Sequence, residues 1–143
     1  MRVGLPLRRL GLLLGSLPLM ACVTATGGAP AVALEGHDWA LVRMEGESLT
    51  LARAPSLRID KAASQAAGFS GCNRYSGSVT LGEGVMRFGP LIGTRMACVE
   101  GMDVEQRYLK LLAQTDRYRI DGDSLVLLSG ERSLLGYRAV AAK

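Results

Sequence analysis

The chain has 143 residues, of which 17 are basic and 13 acidic, and its formal net charge is +4. Arg2, Arg8 and Arg9 lie at its start, ahead of an apolar run, and without them the charges nearly cancel. The positive charge is therefore no indication of nucleic-acid binding. A single histidine and the lack of a Cys-x-x-Cys pair also argue against a zinc site, and we expect neither a metal nor a cofactor.

Residues 1–21 have the organisation of an export signal. The basic start is followed by an almost wholly apolar segment at 11–20. This segment is too short for a stable bilayer-spanning helix, which needs about 20 apolar residues. A buried core helix is the alternative, but Gly11, Gly15 and Pro18 disfavour a permanent helix.

The signal ends in Leu19-Met20-Ala21-Cys22, which resembles the bacterial lipobox. We therefore predict that Cys22 carries a diacylglyceryl group on its thiol and a further acyl chain, such as palmitate, on its amine. Several acyl chains hold a protein stably on a membrane. An ordinary cleavage site at Ala31-Val32-Ala33 is the alternative. Val23 stands where inner-membrane lipoproteins commonly have aspartate, so the expected location is the outer membrane, facing the periplasm.

The lipidated cysteine is followed by small, uncharged residues, which predict a flexible tether over 22–33. Residues 34–143 then suit one domain with one core. We expect this domain to be a monomer.

The first half of the domain alternates apolar and polar residues, which is typical of half-buried strands. His37–Met44 presents Trp39, Leu41 and, less regularly, Met44 on one face. Ser56–Lys61 alternates in the same way around Leu57 and Ile59. A hairpin is predicted where residues 78–81 and 85–88 flank Gly82-Glu83-Gly84.

One helix is predicted after residue 102. Asp103 is expected to cap it, with Gln106 completing a capping box. Val104, Tyr108 and Leu111 fall at helical spacing on one face, with Leu112 and Met102 close to it. The acidic and basic residues Glu105, Arg107 and Lys110 are expected elsewhere on the helical surface.

Beyond the helix the period-two pattern returns, with inward positions at Tyr118, Ile120, Leu125, Leu127, Leu135 and Tyr137. Asp121-Gly122-Asp123 offers two carboxylates of the kind that bind calcium, but the rest of a calcium loop is absent, so we predict a hairpin turn. The predicted class is α+β and mainly antiparallel: a partly open (cracked) β-barrel, or a strongly curved meander sheet, packed around one α-helix.

Cys72 and Cys98 remain once Cys22 is assigned to the anchor. An exported protein meets an oxidising compartment, which favours a Cys72–Cys98 disulfide. A buried reduced pair is the alternative, because sequence alone does not bring two Cα atoms within bonding distance. A dyad of Cys72 with His37 would offer thiol chemistry, but oxidation disfavours it.

The motifs Gly71–Gly77 (GCNRYSG) and Thr94–Cys98 (TRMAC), followed by the helix at 102–112, resemble the META domain, or HslJ-like, family. Residues 34–41 are similar to the family's opening Leu-x-Gly-x-x-Trp-x-Leu. The resemblance implies a partly open antiparallel barrel with a helix and no established enzymatic activity. It also implies an association with heat shock and envelope stress. The chain departs from the family pattern at Ala62–Ala67 and at Ser78-Val79, which touches neither motif.

Six motif residues are candidates for a structural or a binding role: Gly71, Asn73, Arg74, Gly77, Thr94 and Arg95. Asn73 tolerates a positive φ and is able to hydrogen-bond its own backbone. Since Gly, Asn and Thr commonly serve turns, the role we favour is to hold two loops beside the cysteine pair.

The sequence therefore favours a non-catalytic envelope lipoprotein that binds an envelope protein, in the manner of a chaperone. A carrier of a small apolar ligand in the half-barrel is the alternative. An enzyme inhibitor is a weaker one, because no insertion loop is evident.

Overall fold

The computed structural model describes residues 31–141. This part of the chain forms one antiparallel sheet of nine strands and one helix. The strands are β1 (His37–Met44), β2 (Glu47–Ser48), β3 (Ser56–Asp60), β4 (Gln65–Phe69), β5 (Arg74–Gly82), β6 (Val85–Gly93), β7 (Arg117–Asp121), β8 (Ser124–Ser129) and β9 (Arg132–Ala141), and the helix is α1 (Met102–Gln114).

The sheet is a meander that curves until its ends meet. Its order is β2-β1-β3-β4-β5-β6-β7-β8-β9, and β1 also pairs with β9 along its whole length. The joint between β6 and β7 is the weakest, with the single register pair Val85↔Arg117. Helix α1 lies in the connection between these two strands. The prediction of a strongly curved antiparallel meander around one helix is confirmed.

Alternation along the strands builds the core as predicted. Trp39, Leu41 and Met44 of β1 are buried, as are Leu57 and Ile59 of β3. The uneven spacing in β1 has a local cause. A bulge between Leu41 and Arg43 shifts the register, so that the Met44 side chain points inward.

Helix α1 packs its predicted face against the sheet, with Tyr108, Leu111 and Leu112 buried. Two expectations at its start were wrong. Met102 is 42% exposed, and the capping residue is Gly101, with φ 90° and no side-chain cap bond. Asp103 lies instead inside the first turn, where a negative charge still favours the positive end of the helix dipole.

Three tyrosine hydroxyls meet in the middle of the core. The Tyr108 hydroxyl lies 2.8 Å from that of Tyr75 and 3.1 Å from that of Tyr137. The Ser56 carbonyl accepts from Tyr75 at 3.0 Å and from Tyr108 at 3.2 Å. Burial raises the pKa of all three phenols well above the ordinary value of 10.0. The core is therefore polar at its centre and holds these hydroxyls neutral.

The interior that the carrier interpretation requires is occupied by side chains. Trp39, Tyr108 and Leu112 are fully buried, and Leu111 is 4% exposed. An apolar ligand would have to displace them, and the carrier interpretation therefore gains no support.

The N-terminal approach to the domain is fixed by two hydrogen bonds. Val32 donates its N–H to the Gly122 carbonyl at 2.9 Å, and the Lys61 N–H donates to the Glu35 carboxylate at 2.7 Å. The signal peptide and Cys22 lie outside the described residues. Among residues 31–141, none of the helical structure meets the length and hydropathy of a membrane span.

Candidate functional site

A disulfide joins the two loops that carry the sequence motifs. Cys72 lies in the turn between β4 and β5, and Cys98 lies in the loop between β6 and α1. Their Cα atoms are 5.9 Å apart and the sulfurs are bonded, so the predicted pairing is confirmed. Closing 26 residues of chain contributes about 3 kcal/mol by the chain-entropy account. The bonded Cys72 is not a thiol nucleophile, and His37 packs instead against the edge of Trp39.

Asn73 ties the two loops together through its side-chain amide. Its Oδ1 accepts from the Met96 N–H at 2.7 Å and from the Thr94 hydroxyl at 2.9 Å. Its Nδ2 donates to the Met96 carbonyl at 3.3 Å and to a carboxylate oxygen of Glu105 at 3.0 Å. The side chain thus bonds across the loops and not to its own backbone. Among the described residues outside glycine, only Glu45 and Ser64 have a positive φ, so Asn73 is not in that region.

Glu105 is the residue at this site that the sequence did not reveal. It projects from the first turns of α1 and accepts from the Asn73 N–H at 2.7 Å and from the Ser70 hydroxyl at 2.5 Å. Helical spacing had placed it on the outer surface. A contact between a helix and a turn 32 residues earlier leaves no mark in local periodicity, and a single sequence offers no other signal for it.

The environment of Glu105 favours its ionised form. Partial burial raises its pKa. Hydrogen bonds from Ser70, Asn73 and the Cys72 backbone together lower the pKa by more than burial raises it, so the net pKa is below the ordinary 4.5. A carboxylate held by several donors is a structural anchor, because its lone pairs already have partners.

Two glycines allow the turn and the helix start to meet. Gly71 has φ 121° and Gly101 has φ 90°. A Cβ on Gly71 would lie 2.9 Å from the Gly101 carbonyl oxygen, and a Cβ on Gly101 would collide with the Gly71 carbonyl oxygen. Gly77 is required for another reason, since a Cβ there would lie 2.6 Å from the Pro90 carbonyl oxygen on β6.

The two motif arginines do not join this network through their side chains. The Arg74 backbone donates to the Thr94 hydroxyl at 3.2 Å and accepts from the Thr94 N–H at 3.0 Å, while its guanidinium is exposed. Arg95 is exposed as well. Three of the six motif residues, Gly71, Asn73 and Thr94, thus hold the loops, Gly77 allows β5 to approach β6, and the two guanidinium groups remain available to another molecule.

Apolar side chains stand exposed around the disulfide, and we call this the disulfide surface: Leu51, Met96, Val99 and Met102. Met96 is 58% exposed and Val99 is fully exposed. Leu51 and Met96 line a surface groove of about 390 Å³ together with both cysteines and Val104. The groove is therefore apolar along the loop that the hydrogen bonds hold in place.

Other candidate chemistry is not assembled in the part of the chain that the structure describes. Within it, no three His, Cys, Asp or Glu residues lie close enough together to hold a metal. Asp123 pairs with Arg138 at 2.9 Å beside the β7–β8 turn, and Gly122 occupies that turn with φ 56°.

Comparisons with known proteins agree with this architecture. The family model of the META domain matches residues 32–140. An NMR structure of a protein from Burkholderia xenovorans aligns with a TM-score of 0.63 at 27% identity, covering 88% of this chain and all of that one. A second NMR structure aligns with a TM-score of 0.58 at 22% identity over 75% of this chain and 94% of that one, and shares the fold. No curated protein matches the chain.

Proposed function

The chain belongs to the META domain family, and from this premise we propose that it is a non-catalytic, lipid-anchored protein of the cell envelope that binds another envelope protein. The observation that carries the proposal is the disulfide surface, where apolar side chains stand exposed on a loop fixed by covalent and hydrogen bonds. Cys22 supplies the anchor, and the family resemblance suggests a role in heat shock or envelope stress.

The motif residues support binding over catalysis because their reactive groups are already engaged. Cys72 is oxidised, both ends of the Asn73 amide are hydrogen-bonded, and the Glu105 carboxylate accepts from two loop residues. Nucleophilic catalysis needs an accessible nucleophile beside a base. The Ser70 hydroxyl does lie beside the Glu105 carboxylate, but Ser70 is fully buried and out of reach of a substrate. The hydrogen-bond network holds the loop between β6 and α1 in one conformation.

A fixed loop with exposed apolar side chains suits protein recognition. Large apolar side chains on a surface favour association when a partner covers them. A loop already held in place loses little conformational entropy on binding, so more of the contact energy remains as affinity. Met96 and Val99 are the most exposed of these side chains in the loop and are the expected points of contact.

The position of the disulfide surface fits a partner in the periplasm. The chain enters the domain near Gly122 and the end of β3, where Lys61 meets Glu35. Ser56, at the start of β3, pairs with Phe69 just before the motif turn. The length of β3, roughly 13 Å, therefore separates the point where the chain enters the domain from the motif turn.

Photocrosslinking in intact cells tests the proposed binding. With benzoylphenylalanine in place of Val99 or Met96, we expect the same discrete adduct to an envelope protein. Val42 is the matched control, because it is 37% exposed on β1, outside this surface. Equal crosslinking from all three positions, or no adduct at positions 96 and 99, would contradict the proposal.

The proposed location has a separate test. Fractionation of cell membranes is expected to recover the protein with the outer membrane, and a Cys22→Ser variant is expected to lose membrane attachment. Recovery of the wild-type protein with the inner membrane would refute the placement, and unchanged attachment of the variant would refute the anchor.

A further inference from the structure

A second groove continues the one beside the disulfide. It has a volume of about 640 Å³ and runs along the outer face of β3, β4 and β5. Arg53 and Phe69 line both grooves, so the two adjoin there, and we call the two grooves together the depression. Its first half is apolar, beside Leu51 and Met96, and its second half is rich in arginine.

The arginines of the second half differ in whether they have a partner. Arg58 is engaged, because its guanidinium contacts both carboxylate oxygens of Asp38 at 2.7 Å. Arg53 and Arg74 also line this groove, and within residues 31–141 neither side chain makes a hydrogen bond or an ion pair. Two uncompensated positive charges therefore face the same groove.

The orientation of the Arg53 guanidinium suits the binding of a carboxylate. Its guanidinium carbon lies 3.8 Å from the centre of the Phe69 ring. Stacking occupies the face of the planar group and leaves its N–H donors free at the edge. A planar edge with parallel donors matches the two oxygens of a carboxylate.

The floor between the arginines leaves room for a main chain. Ala67 and Gly68 of β4 line the groove there and project little or no side chain. Gly68 faces the core, where a Cβ would collide with the Ser56 carbonyl oxygen, so the exposed Ala67 is the small side chain on the floor of the groove. An extended segment is thus able to lie along the depression with its side chains reaching both halves.

We infer that this depression binds an extended acidic segment of the partner protein, with its carboxylates on Arg53 and Arg74 and an apolar side chain beside Leu51 and Met96. The inference rests on the proposed function and adds the chemistry of the partner. Charge complementarity selects the segment, since the basic half would repel a lysine-rich one. At the apolar end Glu100 lines the groove, which fixes the direction of the acidic segment.

The test uses the full lipid-anchored chain extracted in detergent and two fluorescent synthetic decapeptides. Both begin with leucine and phenylalanine, and one ends in glutamates where the other ends in lysines. We expect the glutamate peptide to bind and the lysine peptide not to, with affinity falling as salt rises because exposed charges are screened. Replacing both arginines, by Arg53→Gln and Arg74→Gln, is expected to weaken binding at least about tenfold.

Arg117→Gln combined with Arg119→Gln is the matched control, because the pair removes two exposed positive charges from β7 outside the groove. Equal binding of the two peptides, or equal loss in the groove and control variants, would overturn the inference. Binding to anionic phosphatidylglycerol vesicles without peptide binding would overturn it in favour of a lipid headgroup. Crosslinks from position 99 that persist in the arginine variant would overturn this inference alone, whereas their absence in the wild type refutes the proposed function.

Discussion

At the scale of single residues, the site depends on a carboxylate that holds a turn against a helix. Glu105 accepts hydrogen bonds from Ser70 and Asn73, and Asn73 in turn binds Thr94 and Met96. A hydrogen bond to an ionised group is worth more than a neutral one, about 1.5–3 kcal/mol. Glu105 of α1 therefore supports the loop that presents the disulfide surface indirectly, through Asn73, beside the disulfide that also holds it.

Glu105→Gln is predicted to destabilise the protein by about 2 kcal/mol at neutral pH, because the amide replaces an acceptor oxygen by a donor. The pKa of Glu105 is lowered in the folded state, so its contribution is present above the ordinary value of 4.5. It is lost as the pH falls through the lowered pKa. Urea unfolding of both proteins across this range measures the difference.

Glu100→Gln serves as the control, since Glu100 is an exposed acid in the loop just before α1. Its unfolding free energy is expected to match that of the wild type. A Glu105→Gln protein as stable as the wild type at neutral pH, or a difference that grows on acidification, would contradict the assignment.

The contact between Gly71 and Gly101 makes a second prediction. Gly101→Ala is expected to destabilise the protein by more than about 2 kcal/mol, for two reasons. The new Cβ collides with the Gly71 backbone, and the alanine must adopt a positive φ. Gly122→Ala isolates the second effect, since Gly122 has φ 56° with nothing within 4 Å of a Cβ. Thermal unfolding compares the two variants, and equal losses would show that the close approach contributes nothing.

Residue roles were predictable where they follow from local chemistry. Asn73 and Thr94 were expected to hold two loops, and their amide and hydroxyl do so. Glu105 was missed, and Asp103 was wrongly given the cap, because a capping pattern describes a helix start in isolation. Here the start is set by a glycine pressed against another loop, which is a tertiary constraint.

At the scale of elements, hydrophobic periodicity predicted the strands well, because each strand has one solvent-exposed face and one buried face. It located the apolar alternation of β1, β3 and β8 and the buried face of α1. The pairing of β1 with β9 was beyond it, since a closing pair of strands lies far apart in sequence. The two-residue β2 was not predicted, because it is too short to alternate.

The hydroxyl cluster joins α1 to the sheet and makes a prediction at this scale. Tyr108→Phe is expected to cost about 1–3 kcal/mol, because the buried Tyr137 hydroxyl loses its acceptor. Tyr75→Phe is expected to cost less, since the Ser56 carbonyl keeps its bond from Tyr108. Urea unfolding ranks the two variants, and a larger loss for Tyr75→Phe would contradict the network.

At the scale of the whole molecule, the point of chain entry and the disulfide surface lie at opposite ends of β3. The chain enters at Val32, and the groove lined by Arg53 and Arg74 runs from the disulfide surface along β3 to Asp38. The sheet between them is filled with side chains and is a spacer, not a container. This arrangement matches a protein that is held on a membrane and offers one end to a partner.

The central claim, a lipid-anchored domain with an oxidised loop, is tested most directly by the intact mass of the protein extracted from membranes, with thiol alkylation before and after reduction. We predict a chain that begins at Cys22 and carries a diacylglyceryl group and a further acyl group. It should take up alkylating reagent at Cys72 and Cys98 only after reduction. An unlipidated chain that begins near Leu34 with two reactive thiols would contradict both the anchor and the oxidised loop.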